Sequence, residues 1–432
     1  MKKDNQGAIT ALDDVESLVR HLAMDVQRGS AGLAYASCEQ KNEALRAGAA
    51  RLREQKATIL QANVQDVSAA RAEPTMTKAL LDRLSMDEAR LEAMAAGIET
   101  IMALPDPVGR VLEAWTTEGN GLHIQRVAVP LGVIGVIYES RPNVTADAAA
   151  LCLKSGNGCL LRSGSESLGT SQVIVRCLQE GLQSAGLEPA CVRLIPVKDR
   201  KAVGVMLSLS QFIDIIVPRG GESLIRRVEK ESRIPVIRHL QGLCHTYIHS
   251  LADGDKVRRV AFNAKMRRPG ICGATETILI DRDVVATLLP PLLEALLQKG
   301  CEVRGDADVM ALDKRVTSAS SDDWATEYLD AIVSIRTVAG IEEAIEHIAR
   351  YGSKHTEAII TEDKTAAGLF MARVDAAIVM HNTSTQFADG GEFGMGAEIG
   401  ISTNKLHARG PVGAQQLTSY KYCVVSDGSV RP

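Results

Sequence analysis

The sequence predicts an α/β fold, with two doubly wound parallel-sheet domains, a cleft between them and a small extended arm. From about residue 144 onward, short apolar strands alternate with helical stretches, which is the pattern of a parallel sheet wrapped in helices. Aromatic residues make up only 3% of the chain, so the core must be aliphatic, as in such sheets. At 432 residues the chain also exceeds the usual size of a single hydrophobic core.

The first hundred residues predict helices, because residues 45–72 and 87–104 are rich in alanine, with apolar positions three and four apart. Pro105 and Pro107 end this helical part. The chain then becomes extended over 122–140, where valine and isoleucine predict strands. The alternation that follows predicts helices at 145–156, 168–186, 200–210 and 221–230, and strands at 158–163, 192–197, 212–218 and 234–239.

A second alternating series predicts the second domain. It comprises helices at 251–266 and 284–300 and strands at 275–281, 331–338 and 355–361. We therefore expect a first domain over 1–250 with a helical start and an extended arm near 112–128, a second over 251–385, and a C-terminal return over 386–432. The cleft between the two domains is the expected ligand site.

Charge and composition exclude several classes of protein. A net charge of -4 and a pI near 6.2 argue against a nucleic-acid-binding surface. The N-terminal segment has no apolar region typical of a secretory signal, and the longest apolar run is too short to span a membrane. The nine cysteines form no CxxC pair, so reduced thiols in a cytoplasmic protein are expected.

Two loops follow predicted strands and open helices, where such a sheet binds the phosphates of a dinucleotide. They consist of Arg162, Ser163, Gly164 and Ser165, and of Pro218, Arg219, Gly220 and Gly221. Either loop alone is equally consistent with an ordinary β-to-α turn with helix-capping serines, and no GxGxxG sequence follows the first strand. Two such loops on one sheet favour a dinucleotide site.

Cys272 differs from the other cysteines in its surroundings. It follows a predicted helix and the turn residues Pro269 and Gly270, and a predicted strand begins within a few residues. Arg267 and Arg268 lie just upstream, and nearby cations favour a reactive thiolate. By contrast, other cysteines lie in apolar helical or strand patterns that predict a place in the core, namely Cys152, Cys177 and Cys191. Cys272 is therefore the candidate nucleophile.

At RPGICGATET the sequence resembles the glutamate-5-semialdehyde dehydrogenase family, a branch of the aldehyde dehydrogenase superfamily. The resemblance covers nearly the whole chain from about residue 30 and includes VPLGVIGVIYESRPNVTADAAALCLKSGN, VPRGGESLI, HLQGLCHTYI, EAIEHIARYGSKHTEAIITED and FGMGAEIGISTNKLHARGPVGAQQLTSYKY. It implies an aldehyde dehydrogenase-like fold and NADPH as cofactor. It also implies reduction of L-glutamyl 5-phosphate to L-glutamate 5-semialdehyde, with release of phosphate through a cysteine thioester, in proline biosynthesis.

The resemblance also implies roles for individual residues. Cys272 matches the family's nucleophile, and Asn143 matches the asparagine that helps to hold the oxyanion. Arg162 stands where relatives place a lysine near the adenosine ribose, and Glu327 matches the glutamate that binds the nicotinamide ribose. For the substrate's phosphate and carboxylate, candidates by placement are Arg141, Arg268 and Gly396 in the FGMGAEIGIST loop. In relatives, the arm and the terminal strand SYKYCVV contribute to subunit association, so a homo-oligomer is expected, with glutamate 5-kinase as a further candidate partner.

Three alternatives remain open. A non-phosphorylating, NAD-dependent aldehyde dehydrogenase would need a water-activating glutamate where this chain has His239. A zinc site could be built from His239, Cys244 and His245, but a fourth ligand is not evident, and we predict no metal. A pseudoenzyme that keeps the fold as a binding module is the third, and the retention of Cys272 and Asn143 argues against it.

Overall fold

The structure is a computed structural model that describes residues 6–74, 76–238 and 241–431, excepting the side chains of 6–13 and 79. The chain divides into two compact units. The first comprises Met1–Arg238, Gly394–Gly400 and Val412–Pro432, and the second comprises His239–Phe393 and Ile401–Pro411. The predicted α/β class is confirmed, because each unit contains a parallel sheet accompanied by helices.

The α-helices are α1 (Gln6–Leu33), α2 (Cys38–Glu54), α3 (Lys56–Ala70), α4 (Lys78–Leu84), α5 (Glu88–Ala103), α6 (Pro142–Lys154), α7 (Leu168–Ser184), α8 (Lys201–Ser208), α9 (Glu222–Glu231), α10 (Gly254–Met266), α11 (Val285–Gln298), α12 (Ala307–Met310), α13 (Ile341–Tyr351) and α14 (Lys364–Arg373). The strands are β1 (Val111–Thr116), β2 (His123–Pro130), β3 (Val133–Tyr138), β4 (Gly158–Arg162), β5 (Val192–Leu194), β6 (Ile215–Arg219), β7 (Cys244–Ile248), β8 (Thr275–Asp281), β9 (Glu302–Gly305), β10 (Thr317–Ser318), β11 (Ile332–Val338), β12 (Thr356–Ile360), β13 (Ile378–His381), β14 (Ile401–Ser402), β15 (Gly410–Pro411) and β16 (Thr418–Val425).

The first unit begins with helices, as its sequence predicts. The single helical stretch predicted over 45–72 is divided at Gln55, whose φ of -88° and ψ of 14° depart from helical values. Ser37 is the N-cap of α2 and forms a capping box with Gln40. The Ser37 hydroxyl accepts a hydrogen bond from Gln40 N–H, and the Gln40 side chain accepts one from Ser37 N–H. Asp87 caps α5 in a simpler way, by accepting a hydrogen bond from Arg90 N–H.

A four-stranded parallel sheet forms the centre of the first unit, in the order β5-β4-β3-β6. The chain runs from β3 outward to β5 on one side and returns to β6 on the other, so the strand order reverses between β3 and β6. In open α/β sheets, ligands bind beyond the carboxyl ends of the strands at such a reversal. The residues of β3 and β4 are all buried, which explains why β3 appears as an unbroken apolar run in the sequence and β4 as an apolar run that ends at Arg162.

A separate antiparallel sheet, in the order β1-β2-β16, also belongs to the first unit. β1 and β2 fall where the sequence predicts an extended arm, and β16 pairs with β2 from Thr418 to Val425. Every residue of β1 and most residues of β16 are exposed to solvent. This sheet therefore has little core of its own.

The second unit is built on a seven-stranded parallel sheet, in the order β10-β9-β11-β8-β7-β12-β13. The sequence predicts β8, β11 and β12, but it does not reveal the strands between and beside them. The strand predicted at 234–239 is wrong for its described residues, because Val236 forms only an isolated bridge with Ile216. A two-stranded ladder of β14 and β15 completes the unit. Among the described helices, none is long and apolar enough to cross a membrane.

Candidate active site

Cys272 lies in a tight turn between α10 and β8. Ala274 N–H donates to the Ile271 carbonyl at 3.0 Å within that turn, and Cys272 itself is half-buried. The buried Cys244, at the start of β7, donates its thiol to the Cys272 carbonyl oxygen at 3.1 Å. Burial raises the pKa of the Cys244 thiol, which keeps it protonated as the donor. A second cysteine thus fixes the backbone of the candidate nucleophile.

Gly242 packs directly against the same backbone. A Cβ at this position would lie 2.6 Å from both Cα and the carbonyl carbon of Cys272, so no side chain fits here. Gly242 N–H in turn donates to Glu327 Oε1 at 2.8 Å. The structure therefore places Glu327 in the second unit, where its carboxylate holds the segment that packs against Cys272.

A buried ion pair joins the two elements that flank the cysteine turn. Lys265, near the end of α10, lies 2.5 Å from Glu276 at the start of β8, and both side chains are almost completely buried. Burial raises the pKa of the Glu276 carboxyl to about 7, against the opposing effect of the Lys265 ammonium. Glu276 Oε1 also accepts a hydrogen bond from Leu329 N–H at 3.2 Å. This ion pair is not among the residues predicted from the sequence, although a lysine on the buried face of an amphipathic helix is a signal for such a pair.

The loop from Ser384 to Ala388 lies on another side of the cysteine turn. A Cβ at Gly273 would be 3.0 Å from the Thr385 carbonyl oxygen, and the Thr385 hydroxyl lies 3.0 Å from that of Thr275. The turn is therefore enclosed by short segments from several elements of the second unit.

In the first unit, the loop after β4 combines glycine with unsatisfied donors. A Cβ at Gly164 would overlap the Glu166 carboxylate, which accepts hydrogen bonds from Ser140 N–H at 2.8 Å and from its hydroxyl at 2.6 Å. Arg162 Nη2 donates to the Lys198 carbonyl at 3.2 Å. Within the described part of the chain, the buried Ser163 hydroxyl and Arg162 Nε have no hydrogen-bond partner. Burial also lowers the pKa of the Arg162 guanidinium. These donors fit an anionic ligand.

A protein carboxylate occupies the start of α9 after β6, just as the Asp66 carboxylate accepts Thr170 N–H at 2.7 Å in the first turn of α7 after β4. Gly221 is the N-cap of α9, and its N–H donates to Glu139 Oε2 at 2.9 Å. A Cβ at Gly220 would lie 2.8 Å from the Glu139 carboxyl carbon. Glu139 therefore takes the position that an anion favours at a helix N-terminus. Pro218 lies within β6, paired with Ile137 of β3.

Asn143 lies in the first turn of α6 and is exposed. Its amide donates to Asp147 Oδ2, one helical turn later, at 3.0 Å. Burial raises the pKa of the Asp147 carboxyl to about 6, and the nearby Arg219 opposes this shift. Among the described residues, the second N–H of the Asn143 amide has no partner, so it is available to a ligand.

The candidate substrate residues are more dispersed. Arg141 is the exposed N-cap residue of α6. Gly396 has a φ of 76°, and a Cβ there would lie 2.9 Å from Leu104, so glycine is required on both counts. Gly400 has a φ of 157°, and a Cβ there would lie 2.9 Å from the Arg219 guanidinium. Arg268 is exposed, and its carbonyl accepts a hydrogen bond from Gln386 at 3.3 Å.

The zinc alternative gains no support from the described residues, among which no group of three or more histidine, cysteine or acidic side chains could hold a metal ion. Cys244 and His245 are neighbours in β7 and therefore point to opposite faces of the sheet. His245 Nδ1 lies 2.9 Å from the buried Glu357 carboxylate. His239, which was also considered as the counterpart of a water-activating glutamate, lies outside the described residues.

The first unit has two glycine loops at the edge of a parallel sheet, where phosphates commonly bind, and the second unit has a cysteine in a tight turn. These two features define the class of protein. The model of the aldehyde dehydrogenase family matches residues 8–312, and the chain belongs to that family. Membership implies a nicotinamide cofactor and a small-molecule substrate. Within the family, its relatives are gamma-glutamyl phosphate reductases. The chain is 57% identical to the one from Rhodospirillum rubrum, over 99% of this chain and 100% of the relative.

Two further comparisons agree with this placement. The gamma-glutamyl phosphate reductase of Nitrobacter winogradskyi is 56% identical, over 98% of this chain and 100% of the relative. The crystal structure of gamma-glutamyl phosphate reductase from Thermotoga maritima matches with a TM-score of 0.93 and 42% identity, covering 96% of this chain and 100% of that chain. The predicted aldehyde dehydrogenase-like fold is thereby confirmed.

Proposed function

We propose that this chain reduces L-glutamyl 5-phosphate to L-glutamate 5-semialdehyde and releases phosphate, as a step of proline biosynthesis. The observation that carries the proposal is the identity of 57% to a gamma-glutamyl phosphate reductase over the full length of both chains. The buried scaffold around the Cys272 turn supports it, because a nucleophile needs a fixed backbone. Both observations support the conclusion that the chain is an oxidoreductase rather than a binding module.

In this proposal, the Cys272 thiolate attacks the acyl phosphate, and phosphate leaves as a thioester forms on the sulfur. The family resemblance assigns Asn143 and the backbone N–H of Cys272 to the oxyanion that forms on attack. A preorganised donor of this kind contributes about 3 kcal/mol to the stabilisation of the transition state. The Asp147 carboxylate, which accepts one N–H of the Asn143 amide, holds the amide in orientation.

NADPH is the proposed hydride donor, and when bound it supplies the electrons that reduce the thioester to the aldehyde. The residues after β4 fit its anionic part, because Ser163 and Arg162 offer buried donors that have no partner among the described residues. Gly164 belongs to the same loop, where it leaves room for the Glu166 carboxylate. Arg162 suits the 2′-phosphate that distinguishes NADPH from NADH. We assign supporting roles to the Pro218–Gly221 loop and to Glu327, which the resemblance places at the nicotinamide ribose.

We further propose a homo-oligomer that associates through the β1-β2-β16 sheet. Trp115 and Tyr422 make an edge-to-face contact at 6.2 Å between ring centroids, and Tyr422 contacts Tyr420 in the same way. All three rings are substantially exposed, and an exposed aromatic patch of this kind is typical of an interface. In this proposal, the C-terminal return after residue 385 also contributes to subunit association. Tyr422→Lys should therefore lower the molar mass of the protein measured by light scattering.

We also propose a cytoplasmic location and a second protein partner for this chain. All nine cysteines are free thiols, which suits the reducing cytoplasm. An acyl phosphate is short-lived in water, so we propose that the glutamate 5-kinase that makes it is a functional partner of this chain.

The test is phosphate-dependent reduction of NADP by the purified protein acting on glutamate 5-semialdehyde, which is the reverse reaction. We expect activity that requires phosphate and disappears in Cys272→Ala. Cys38→Ala is the matched control, because Cys38 is also half-buried but has no assigned role. Activity without phosphate would indicate a non-phosphorylating dehydrogenase, and a well-folded but inactive protein would indicate a pseudoenzyme or a different aldehyde.

A further inference from the structure

A cavity of about 390 Å³ lies within the second unit, beside the cysteine turn, and has no role in the mechanism above. One wall is a face of α10 and its C-cap, with Arg259, Asn263 and Arg267 spaced four residues apart. Residues at this spacing share one helix face. The chain after β13 forms the facing wall.

The charged groups that line the cavity are not used elsewhere in the fold. Among the described residues, the guanidinium groups of Arg259 and Arg267 have no hydrogen bond or ion pair, and the Glu392 carboxylate has none either. Arg258, on the same helix but outside this cavity, does have an acidic neighbour, Asp255, at 3.8 Å. The cavity thus brings together two unpaired cations and one unpaired anion.

The facing wall is firmly held. Asn382 adopts a φ of 53°, and its side chain accepts from Thr361 N–H at 3.0 Å and donates to the Thr361 carbonyl at 2.9 Å. Ser384 accepts a hydrogen bond from Gln386 N–H and so caps the short turn that follows. A wall held this way presents its polar groups without further ordering.

Gln386 provides the most specific feature. It is only 5% exposed, and its Nε2 donates to the carbonyls of Ala264 at 2.9 Å and Arg268 at 3.3 Å. Its Oε1 has no hydrogen-bond partner among the described residues. That oxygen is itself buried, so Gln386 contributes by fixing the cavity wall against the end of α10 through its two hydrogen bonds. The bond to Arg268 also ties this wall to the segment that leads to Cys272.

We propose that this cavity binds the amino-acid end of the substrate. Arg259 and Arg267 hold the α-carboxylate, since guanidinium groups match a carboxylate in geometry and charge. The α-ammonium donates to the Glu392 carboxylate. A free phosphate ion would satisfy the arginines but would be repelled by Glu392, so the observations favour a zwitterion.

This inference rests on the proposed function, because a short methylene chain must connect the amino-acid end to the carbonyl carbon that Cys272 attacks. It also assigns the carboxylate to Arg267, whereas the sequence analysis named its neighbour Arg268. Arg267 lies on the helix face that lines the cavity, whereas the next residue, Arg268, is not among the residues that line it.

The test uses the reverse reaction with two aldehydes. Arg267→Gln and Arg259→Gln should each raise the KM for glutamate 5-semialdehyde by roughly 10- to 100-fold, the effect of losing one charge-assisted hydrogen bond. Neither change should alter the KM for butanal, which lacks the amino-acid end. Glu392→Gln should raise the KM for glutamate 5-semialdehyde but not for 5-oxopentanoate, which lacks only the ammonium group. Arg258→Gln is the matched control and should leave every constant unchanged.

The outcomes separate the two proposals. An active wild-type protein whose variants keep the wild-type KM for glutamate 5-semialdehyde would refute this inference alone. A rise confined to the KM for phosphate would also refute it and would assign the arginines to the phosphate ion. An inactive wild-type protein would refute the proposed function and this inference with it. Because the three charged side chains are exposed, we expect every variant to melt at the wild-type temperature.

Discussion

Gly242→Ala is the smallest change that should displace the nucleophile. The new Cβ would lie 2.6 Å from Cα and from the carbonyl carbon of Cys272, and closer still to its carbonyl oxygen. Carbon atoms pack at about 3.5–4.0 Å, so one of the two backbones must move by about 1 Å. Neither backbone moves freely, because Gly242 N–H donates a hydrogen bond to the Glu327 carboxylate and the Cys272 carbonyl accepts a hydrogen bond from the Cys244 thiol.

Two magnitudes follow from this displacement. Overpacking of a well-filled interior costs about 1–3 kcal/mol of unfolding free energy. A 1 Å misplacement of a reacting group costs about 100-fold in rate. We therefore expect Gly242→Ala to fold with slightly reduced stability and to lose about two orders of magnitude in kcat.

The assay is steady-state kinetics of the reverse reaction, together with urea unfolding of the same preparations. The control is Gly368→Ala, which lies inside α14 in the same unit, where no atom lies within 4 Å of the added methyl group. That substitution should stabilise the protein by about 0.4–1 kcal/mol, because alanine restricts the unfolded chain, and it should leave kcat unchanged. Wild-type kcat in Gly242→Ala would refute the reasoning, since it would mean that the cysteine turn tolerates the displacement.

Three further predictions concern buried polar groups. Lys265→Met removes the partner of the Glu276 carboxyl and should cost about 3–5 kcal/mol in urea unfolding. Since burial already raises the pKa of Glu276 to about 7 and loss of the Lys265 ammonium raises it further, the cost should stay nearly constant up to about pH 7. It should grow above about pH 7, where the wild-type carboxyl ionises and that of the variant does not. Burial lowers the pKa of His347 to about 2, from an ordinary 6.5. The unfolded chain therefore binds a proton that the folded protein does not, and stability falls as the pH drops below 6.5. His347→Phe should flatten that fall by up to about 1.4 kcal/mol per pH unit, and equal slopes for the two proteins would contradict the assignment. Ser163→Ala removes a buried hydroxyl without a partner among the described residues, so the melting temperature should not drop, whereas the KM for NADP should rise about tenfold. An unchanged KM would remove Ser163 from the cofactor site.

Helices and strands were predictable wherever one strong pattern dominated. The wholly buried strands β3 and β4 contain short aliphatic runs, and β8 has three consecutive aliphatic residues at its centre, 278–280; all three strands form where the sequence places them. β7 and β13 escaped prediction because CHTYI and IVMH mix polar and apolar residues. Their place in the sheet is decided by pairing with β12, which lies far along the chain from β7.

The surroundings of the two glycine loops could not be predicted from the sequence. Both have small residues after a strand, and the sequence gives no reason to separate them. In the structure, a carboxylate from elsewhere in the chain lies at the start of each helix, Glu139 at α9 and Asp66 at α7, and the loop after β4 also has the buried Ser163 hydroxyl without a partner among the described residues. Local patterns do not predict these carboxylates, because Glu139 and Asp66 lie 82 and 104 residues from the groups whose hydrogen bonds they accept.

The sequence by itself determined the α/β class, the order of most elements and the cysteine to examine, because these depend on local periodicity and on neighbours within a few positions. The tertiary structure alone decided what surrounds that cysteine. Gly242, Cys244 and the loop at Gln386 reach the Cys272 segment from distant parts of the chain. Such contacts depend on which strands lie side by side, and strand order is set by the packing of the whole sheet rather than by any single segment.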